Sequence, residues 1–490
     1  MKILFPITIL FFLTSCSLYE QPEAPKLDAP QQFKTSILSA NYELEDRWWE
    51  NFDDEQLNAI VNLALKNNYN YQIAIKNIEI AQTYVTQNQS YLFPQVTGDF
   101  DASRIKPFPV QAFGTPGTIS NGTLNPATLA GGSNRIFDFN TLSATVTYEL
   151  DVWNQVRNTL KSSEAAEVSS YATSNVVKLT LISNVVDTYF QIMALEANLI
   201  NLNEQYRAAK EITNLVKVQF DSELVDAGTV YAAESEEYEI LSTIKTIEKQ
   251  KEIYENTLAY LISDYPENFS ITTHNTLNKL QYTQLIPANY PSEMLAIRPD
   301  IQVTYYQMIS YGYLEKAALA NFLPSFNLTS GYGYASNTLG QLLKSSSSFW
   351  NYGINATQTI FDYAITISEY QRSKYQFEAA ILSYKDTVIN AFSEVNSALV
   401  SYQDDNEALN AIKMQYDVAL QQLLVSDAQY KGELIDYSTY LTNELAALQD
   451  QYNLTNQQLL VVQDIVQVYK TLGWGLQLSD NDETKKQAKY

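Results

Sequence analysis

The sequence has very few of the side chains on which most enzyme chemistry depends. Its 490 residues include one His, His274, and one Cys, Cys16. A Ser-His-Asp or Cys-His nucleophile, a structural zinc site and a disulfide are therefore excluded. Basic residues are also scarce, with 31 Lys and Arg against 55 Asp and Glu, so the phosphates of a nucleic acid would be repelled. The sequence predicts no enzymatic activity, no cofactor or metal, and no nucleic-acid partner.

Beyond its first residues the chain also lacks long hydrophobic runs. No later stretch approaches the roughly 20 apolar residues that a membrane-spanning helix requires, and the mean hydropathy is -0.22. Hydrophobic residues still make up 46% of the sequence, which is enough for a folded chain. A passage through a membrane would therefore have to be made by strands.

The N-terminus has the pattern of a signal peptide over residues 1–15. A positive residue, Lys2, precedes an apolar run that ends at Leu13-Thr-Ser-Cys16. This pattern resembles the bacterial lipobox, whose Cys carries a covalent lipid, such as palmitate, and becomes the mature N-terminus. The alternative is a Cys incidental to an ordinary signal peptide, but that alternative leaves the position of the only Cys unexplained. Because Ser17 is not the Asp of inner-membrane retention, we expect Cys16 to anchor the chain in the outer membrane. Residues 16–47, which contain several Pro, are expected to form an extended tether.

The two halves of the chain contain matched segments in the same order. Three such matches predict a tandem duplication with a loop insertion in the first copy. The matched pairs are Phe220–Asp226 with Tyr430–Asp436, Leu150-Asp151 with Phe361-Asp362, and Leu92-Phe93-Pro94 with Phe322-Leu323-Pro324.

Each copy is expected to contain one helix, two strands, a long helix and a return helix. Asp151 and Asp362 are placed to cap the long helices, and heptad stripes like those of coiled coils indicate neighbours on both sides of these helices. The first copy spans residues 48–290, with an initial helix over 54–91, strands at about 95–105 and 138–150, and helices at 152–219 and 229–264. The second spans 291–475, with an initial helix over 291–322, strands at about 325–336 and 349–361, and helices at 363–429 and 437–472. A polar C-terminal tail covers residues 476–490.

The four predicted strands alternate between apolar and polar residues. Leu142, Val146 and Tyr148, for example, interleave with polar side chains. Each strand has about the 9–11 residues that cross a bilayer when tilted. On the pattern alone, two soluble hairpins remain an alternative. Four strands cannot close a barrel in lipid, so a membrane barrel would have to be shared between chains.

Three motifs together resemble those of the TolC-type outer membrane factor family, in its lipoprotein (NodT-like) branch. They are Trp48-Trp49-x-x-Phe52 near the N-terminus, Tyr148-Glu-Leu-Asp151-Val-Trp153 at a strand-to-helix junction, and Arg298-Pro299-Asp300-Ile301 at the opening of the second copy. The resemblance implies a mainly helical trimeric channel. Four strands from each chain would form a shared 12-stranded outer membrane barrel, continued by a 12-helix periplasmic α-barrel of two tandem repeats.

The same resemblance implies function, partners and location. The chain would be a passive export conduit in the outer membrane of a Gram-negative bacterium, anchored by lipid and extending into the periplasm. A periplasmic adaptor and an inner-membrane pump would be its partners in a tripartite efflux system, and the pump would choose among drugs, metal ions or other cargo. The alternatives are the outer membrane component of a type I protein secretion system and, in a different class, a lipid-anchored helical scaffold or adhesin without a pore.

Two departures from the family pattern lie where the long helices turn back. The family's adaptor-docking Val-Gly-Leu is replaced by Ser222-Glu223-Leu224 and by Gly432-Glu433-Leu434. The paired Asp that narrow the pore in many members are replaced by Thr439 and Thr442, which become the candidate gate.

Four carboxylates remain at these turns: Glu223, Asp226, Glu433 and Asp436. For Asp226 and Asp436, helix capping is the simpler interpretation. Three copies of all four around an axis would nevertheless form an acidic ring at the periplasmic tip.

Overall fold

The computed structural model describes residues 22–23, 25, 30, 47–106, 119–120, 123–124, 136–273, 277 and 298–473. Cys16, His274, most of the tether and the C-terminal tail lie outside these ranges, so the expectations for them stay predictions. The described chain is mainly helical with one four-stranded sheet. Within it, no helix combines the length and apolar character needed to cross a membrane.

The described residues form seven α-helices and six strands. The helices are α1 Glu55–Asn67, α2 Tyr69–Ser90, α3 Gln155–Asp221, α4 Ala227–Leu261, α5 Pro299–Ala320, α6 Ile365–Lys431 and α7 Tyr437–Leu472. The strands are β1 Gln95–Ile105, β2 Ile119–Ser120, β3 Thr123–Leu124, β4 Phe137–Leu150, β5 Ser325–Ser336 and β6 Ser348–Thr357.

Several boundaries differ from the sequence expectation. The single helix expected over residues 54–91 is two helices, because Asn68 ends α1 in an extended conformation (ψ 121) and its side chain accepts a hydrogen bond from Tyr71 N in the first turn of α2. The helix expected from residue 291 begins at Pro299, whose fixed φ suits the first helical turn. The last strand ends at Thr357 instead of residue 361; the following Gln358 bonds to the carbonyl oxygen of Phe322 instead of continuing the ladder.

Helices in the two halves have matching lengths and matching ends. Helices α3 and α6 each have 67 residues, and α2 and α5 each have 22. Before α2, Asn68 Nδ2 donates to the carbonyl oxygen of Leu261 at the end of α4. Before α5, Arg298 donates to the carbonyl oxygen of Thr471 at the end of α7. Each return helix is thus capped by a side chain at the start of its own half.

The main sheet has the antiparallel order β1-β4-β5-β6 and two chemically different faces. The side chains of two paired residues project from the same face of the sheet, and successive residues along a strand project from opposite faces. Val146 pairs with Ser330, and Tyr148 pairs with Leu328, on what we call the apolar face. Thr147 and Glu149 of β4 lie on the opposite, polar face. On the apolar face, the rings of Trp350 and Tyr352 are stacked on each other along the exposed edge strand β6.

The backbone divides into two compact units, which are described separately. The sheet unit comprises residues 1–26, 78–170 and 304–384. Its helical core is formed by Met308, Ile309 and Ala165, with Tyr305 and Tyr384 packed against it. In the same unit Gly312 allows the N-terminal segment to come very close: an added Cβ would lie 2.6 Å from Pro22.

The helical unit comprises residues 27–77, 171–303 and 385–490. Its core includes Leu195, Leu202 and Ala209 of α3, packed with Ile240 and Ile244 of α4. At the N-terminal side of the unit, Trp48 is fully buried. Its ring stacks on that of Tyr469 in α7 at 4.8 Å between centroids, so the Trp-Trp motif holds the segment before α1 against a core helix.

Candidate functional site

The turn between α3 and α4, the first tip, is closed by a helix C-cap motif. Glu223 has a left-handed backbone (φ 63), and its N–H donates to the carbonyl oxygen of Phe220. The N–H of Leu224 donates to the carbonyl oxygen of Gln219 at 2.9 Å. These two bonds define a Schellman motif, in which glycine usually occupies the left-handed position. Here a glutamate takes that position.

The turn between α6 and α7, the second tip, has the same construction. Glu433 is left-handed (φ 56), and its N–H donates to the carbonyl oxygen of Tyr430 while that of Leu434 donates to Gln429. The side chains of Glu223 and Glu433 are exposed, and neither makes a hydrogen bond or ion pair within the described chain. Both turns therefore present an unpaired carboxylate next to a strained backbone.

Asp226 and Asp436 cap the return helices. Asp226 Oδ1 accepts a hydrogen bond from Thr229 N at 2.9 Å, and Asp436 Oδ1 accepts from Thr439 N at 2.7 Å. Hydrogen bonds from the backbone N–H and hydroxyl of Thr229 lower the pKa of Asp226. Hydrogen bonds from Thr439 likewise lower the pKa of Asp436. The two caps therefore keep their negative charge at neutral pH.

The residues expected to dock an adaptor lie on the surface of the two tips. Leu224 is 74% exposed and Leu434 is 77% exposed. Ser222 turns its hydroxyl back to the carbonyl oxygen of Val218, and Gly432 is exposed one residue before the left-handed position. Each tip thus offers one protruding leucine beside one free carboxylate, and adaptor docking there stays a prediction.

The candidate gate residues have local roles in this structure. Thr439 supplies the backbone N–H that Asp436 caps. Thr442 is exposed, and its hydroxyl donates to the carbonyl oxygen of Ser438 in the preceding turn. The hydrogen bonds that Thr439 and Thr442 make within the described residues all lie in their own hairpin, so a polar connection between hairpins has to be made by other side chains.

Such a connection exists between α3, in the hairpin formed with α4, and α7, in the hairpin formed with α6. Arg207 of α3 bonds Glu444 of α7 at 2.7 Å, and the same guanidinium also bonds Glu204 and Glu211 of its own helix. Tyr437 of α7 donates its hydroxyl proton to Glu211 Oε2 at 2.6 Å. We call these two contacts across the hairpins the hairpin clasp.

The clasp changes the titration of its members. The hydrogen bond to Glu211 raises the pKa of Tyr437 to about 12. The bond from Arg207 to Glu204 is the largest factor that raises the pKa of the guanidinium, and Glu444 and Glu211 act in the same direction. At neutral pH Tyr437 therefore keeps its hydroxyl proton, and Arg207 keeps its positive charge. Sequence reasoning missed it, although two signals were available: Arg207 and Glu211 are one helical turn apart, and Tyr437 and Glu444 are two turns apart.

Comparison with known proteins identifies the family. The outer membrane efflux protein family model matches residues 60–263 and 290–474. The cation efflux system protein CusC of Escherichia coli is 26% identical over 482 residues, which are 97% of this chain and 99% of that protein. The pyoverdine export outer membrane protein OpmQ of Pseudomonas putida is 25% identical over 95% of this chain and 96% of that protein.

Solved structures agree with this assignment. The crystal structure of the Campylobacter jejuni CmeC outer membrane channel aligns with a TM-score of 0.82 at 25% identity, covering 96% of this chain and 98% of that one. The open state of the Neisseria gonorrhoeae MtrE outer membrane channel aligns with a TM-score of 0.79 over 93% of this chain and 98% of that one. The chain belongs to the outer membrane efflux protein family.

Proposed function

We propose that this outer membrane efflux channel works as a homotrimer, in which three chains share one 12-stranded barrel and a 12-helix periplasmic tunnel. Each chain contributes two tandem repeats, and it serves as a passive, non-enzymatic conduit for a periplasmic adaptor and an inner-membrane pump. The two relatives are named for different cargoes, a cation and pyoverdine. This variety of cargoes within the family supports the role of a passive conduit, in which the pump selects the cargo.

The observation that carries the proposal is the open sheet. In the order β1-β4-β5-β6, strands β1 and β6 each have one partner among the residues that the structure describes. Unpaired strand edges in a membrane would leave backbone groups without hydrogen bonds, at a cost of several kcal/mol each. Because the four strands alternate in direction, β6 of one copy can pair antiparallel with β1 of the next. Three copies then close a ring of 12 strands.

The side chains of the sheet support the same arrangement. The apolar face exposes large side chains, such as Val96, Phe100 and Tyr352, while the polar face carries Thr147 and Glu149. An outer surface facing lipid and a wet interior require this division. In a soluble scaffold, exposure of this apolar face to water would be unfavourable.

Exposed apolar residues on the long helices support assembly as well. On α6, Met414, Val418 and Val425 are exposed at helical spacings of four and seven, and on α3 Ile200 is 71% exposed. Such stripes are normally covered by a partner, and here a second copy of the chain is the simplest one. The equal lengths and equivalent caps of the two helical sets support the tandem repeats.

At the ends of the molecule, we propose a lipid anchor at Cys16 and adaptor docking at the two tips, with Leu224 and Leu434 as contacts. The hairpin clasp then holds the periplasmic end in a closed resting state, and the pump-adaptor complex opens it. The anchor is tested with Cys16→Ala, which should lose incorporation of labelled palmitate. Incorporation that persists in this variant would contradict the anchor.

The trimer is tested on the purified chain in detergent. Light scattering should give a protein mass three times that of one chain without residues 1–15, slightly below the 55.5 kDa of the full sequence, and planar bilayers should show channels of low resting conductance. A stable monomer that retains its strand content by circular dichroism would contradict the shared barrel. A trimer that never conducts would contradict the conduit while leaving the assembly intact.

A further inference from the structure

A pocket lies on the polar face of the sheet, at the end where the strands join the helices. It has a volume of about 370 Å3, within the range of small-molecule sites. All its lining residues belong to the sheet unit. They come from the end of α2, from β1, β4 and β5, and from the first turns of α3; those used below are Asn88, Tyr91, Phe93, Gln95, Glu149 and Asn327.

Five polar side chains of this pocket are free to bind a ligand, whereas those of Gln155 and Thr159 already bond within the chain. Within the described chain, no side-chain hydrogen bond or ion pair is made by Asn88, Tyr91, Gln95, Glu149 or Asn327. Glu149 pairs with Asn327 across the strands, so these two groups lie side by side on the polar face. Convergent polar groups that the fold itself does not use are typical of a binding site.

The charge of the pocket is negative, and its apolar part is aromatic. Glu149 is the one acidic residue in the lining, and no Lys or Arg of the described chain lines it. Phe93 is 61% exposed and Tyr91 is 46% exposed, so their rings are accessible to a ligand. An inorganic cation would prefer several oxygen ligands in a fixed geometry. A carboxylate beside accessible rings instead suits an organic ammonium group, which gains from both charge attraction and cation–π contact.

We propose that this pocket binds organic cations, with the ammonium group at Glu149 and an aromatic or alkyl substituent against Phe93 and Tyr91. Amide groups of Asn88, Gln95 and Asn327 provide hydrogen bonds at the rim. The pocket indicates organic cations as a substrate class for the proposed efflux function. This inference rests on the proposed function only in taking exported molecules to pass the pocket. Binding itself needs neither pump nor adaptor.

The test is calorimetric titration of the purified full-length chain in a neutral detergent with benzyltrimethylammonium. Benzyl alcohol serves as the uncharged probe and benzylsulfonate as the anionic one. The cation should bind, and both other probes should bind at least tenfold more weakly. Glu149→Gln should weaken cation binding about tenfold, and Phe93→Leu should weaken it several-fold through loss of the ring.

Asp101→Asn is the matched control, because Asp101 lies on the same polar face of β1, is exposed, and is outside the pocket lining. It should leave the affinity within twofold of wild type. Equal losses in Asp101→Asn and Glu149→Gln would overturn the local site and leave only general attraction by an acidic surface. Equal binding of benzyl alcohol, or no binding of the cation, would overturn the proposal. Mass and conductance of the same preparation report on the channel separately, so failure of the site and failure of the proposed function are distinguishable.

Discussion

The hairpin clasp should control the resting conductance of the channel. Arg207→Gln removes the ion pair with Glu444, and Tyr437→Phe removes the hydrogen bond to Glu211. Tyr437→Phe keeps the ring and Arg207→Gln keeps an unbranched polar stem, and both leave the helix cap at Asp436 in place. We expect each single variant to conduct more than wild type, and the double variant to conduct most.

The structure sets the size of the effect. The Arg207–Glu444 pair is close, at 2.7 Å, but its side chains are 41% and 17% exposed, so solvent screening limits it to about 1 kcal/mol. The hydrogen bond from Tyr437 to a carboxylate contributes about 1 kcal/mol as well. Loss of both is about 2 kcal/mol per chain, a factor of about 30 in an equilibrium. Three chains opening together lose about 6 kcal/mol, comparable to the roughly 5.5 kcal/mol that takes a two-state equilibrium from 1:99 to 99:1.

The assay is single-channel recording in planar bilayers, with open probability as the readout. Lys217→Gln is the matched control, since Lys217 forms an ion pair with Glu234 at 2.8 Å within one hairpin. This substitution removes one positive charge, as Arg207→Gln does, and leaves the connection between hairpins unchanged. The reasoning is refuted if Lys217→Gln raises open probability as much as Arg207→Gln. It is also refuted if the double variant stays as closed as wild type.

Three further predictions concern stability and packing. Glu223→Gly should stabilise the chain to heat by about 1 kcal/mol, because glycine accepts the left-handed backbone without strain, and Glu223→Gln should not. Gly312→Val should speed limited proteolysis of the segment that carries Pro22, since a Cβ there would lie 2.6 Å from that ring, whereas Gly98→Ala, in open space, should not. Burial raises the pKa of Asp187 to about 7, while the charge of Lys470 acts in the opposite direction. The free energy of unfolding should therefore fall as pH rises from about 4 to 7. Asp187→Asn should remove up to about 4 kcal/mol of that fall, measured by thermal unfolding.

Much of the sheet could be predicted from local pattern. Alternation with period two and flanking Pro residues locate β1 at Gln95–Ile105 and β5 at Ser325–Ser336, the same bounds as in the structure. The end of β6 and the break at Asn68 were missed because each depends on one side chain, Gln358 or Asn68, that bonds to the backbone. Such bonds do not disturb the hydrophobic period on which the prediction relied.

The connection between the hairpins could not be found in the same way. Arg207 and Glu444 are 237 residues apart in the chain, and neither stands out from the many charged residues on helix surfaces. The tips were located correctly as turns, but the expected gate at Thr439 and Thr442 followed a family position. In the structure, the hydroxyl of Thr442 is bonded to its own helix. Tyr437, about one turn earlier, contacts the other hairpin instead.

The acidic tips should make the channel selective for cations. Glu223, Asp226, Glu433 and Asp436 occur once per chain, so a trimer would place 12 carboxylates at the periplasmic end. Capping does not neutralise Asp226 or Asp436, since it lowers the pKa of both. Rings of acidic side chains attract cations and hold them at a pore mouth.

Glu433→Gln with Asp436→Asn tests this field without destroying the tip, because Asn caps a helix about as well as Asp and Gln keeps the length of Glu433. The reversal potential in a salt gradient should show a weaker cation preference than in wild type, and multivalent cations should block the variant less. Glu55→Gln, a charge change in the first turn of α1, is the control and should leave both unchanged. Unchanged selectivity and block in the double variant would mean that these carboxylates face away from the pore, and the cation preference would then have to arise at Glu149 and its neighbours on the polar face of the sheet.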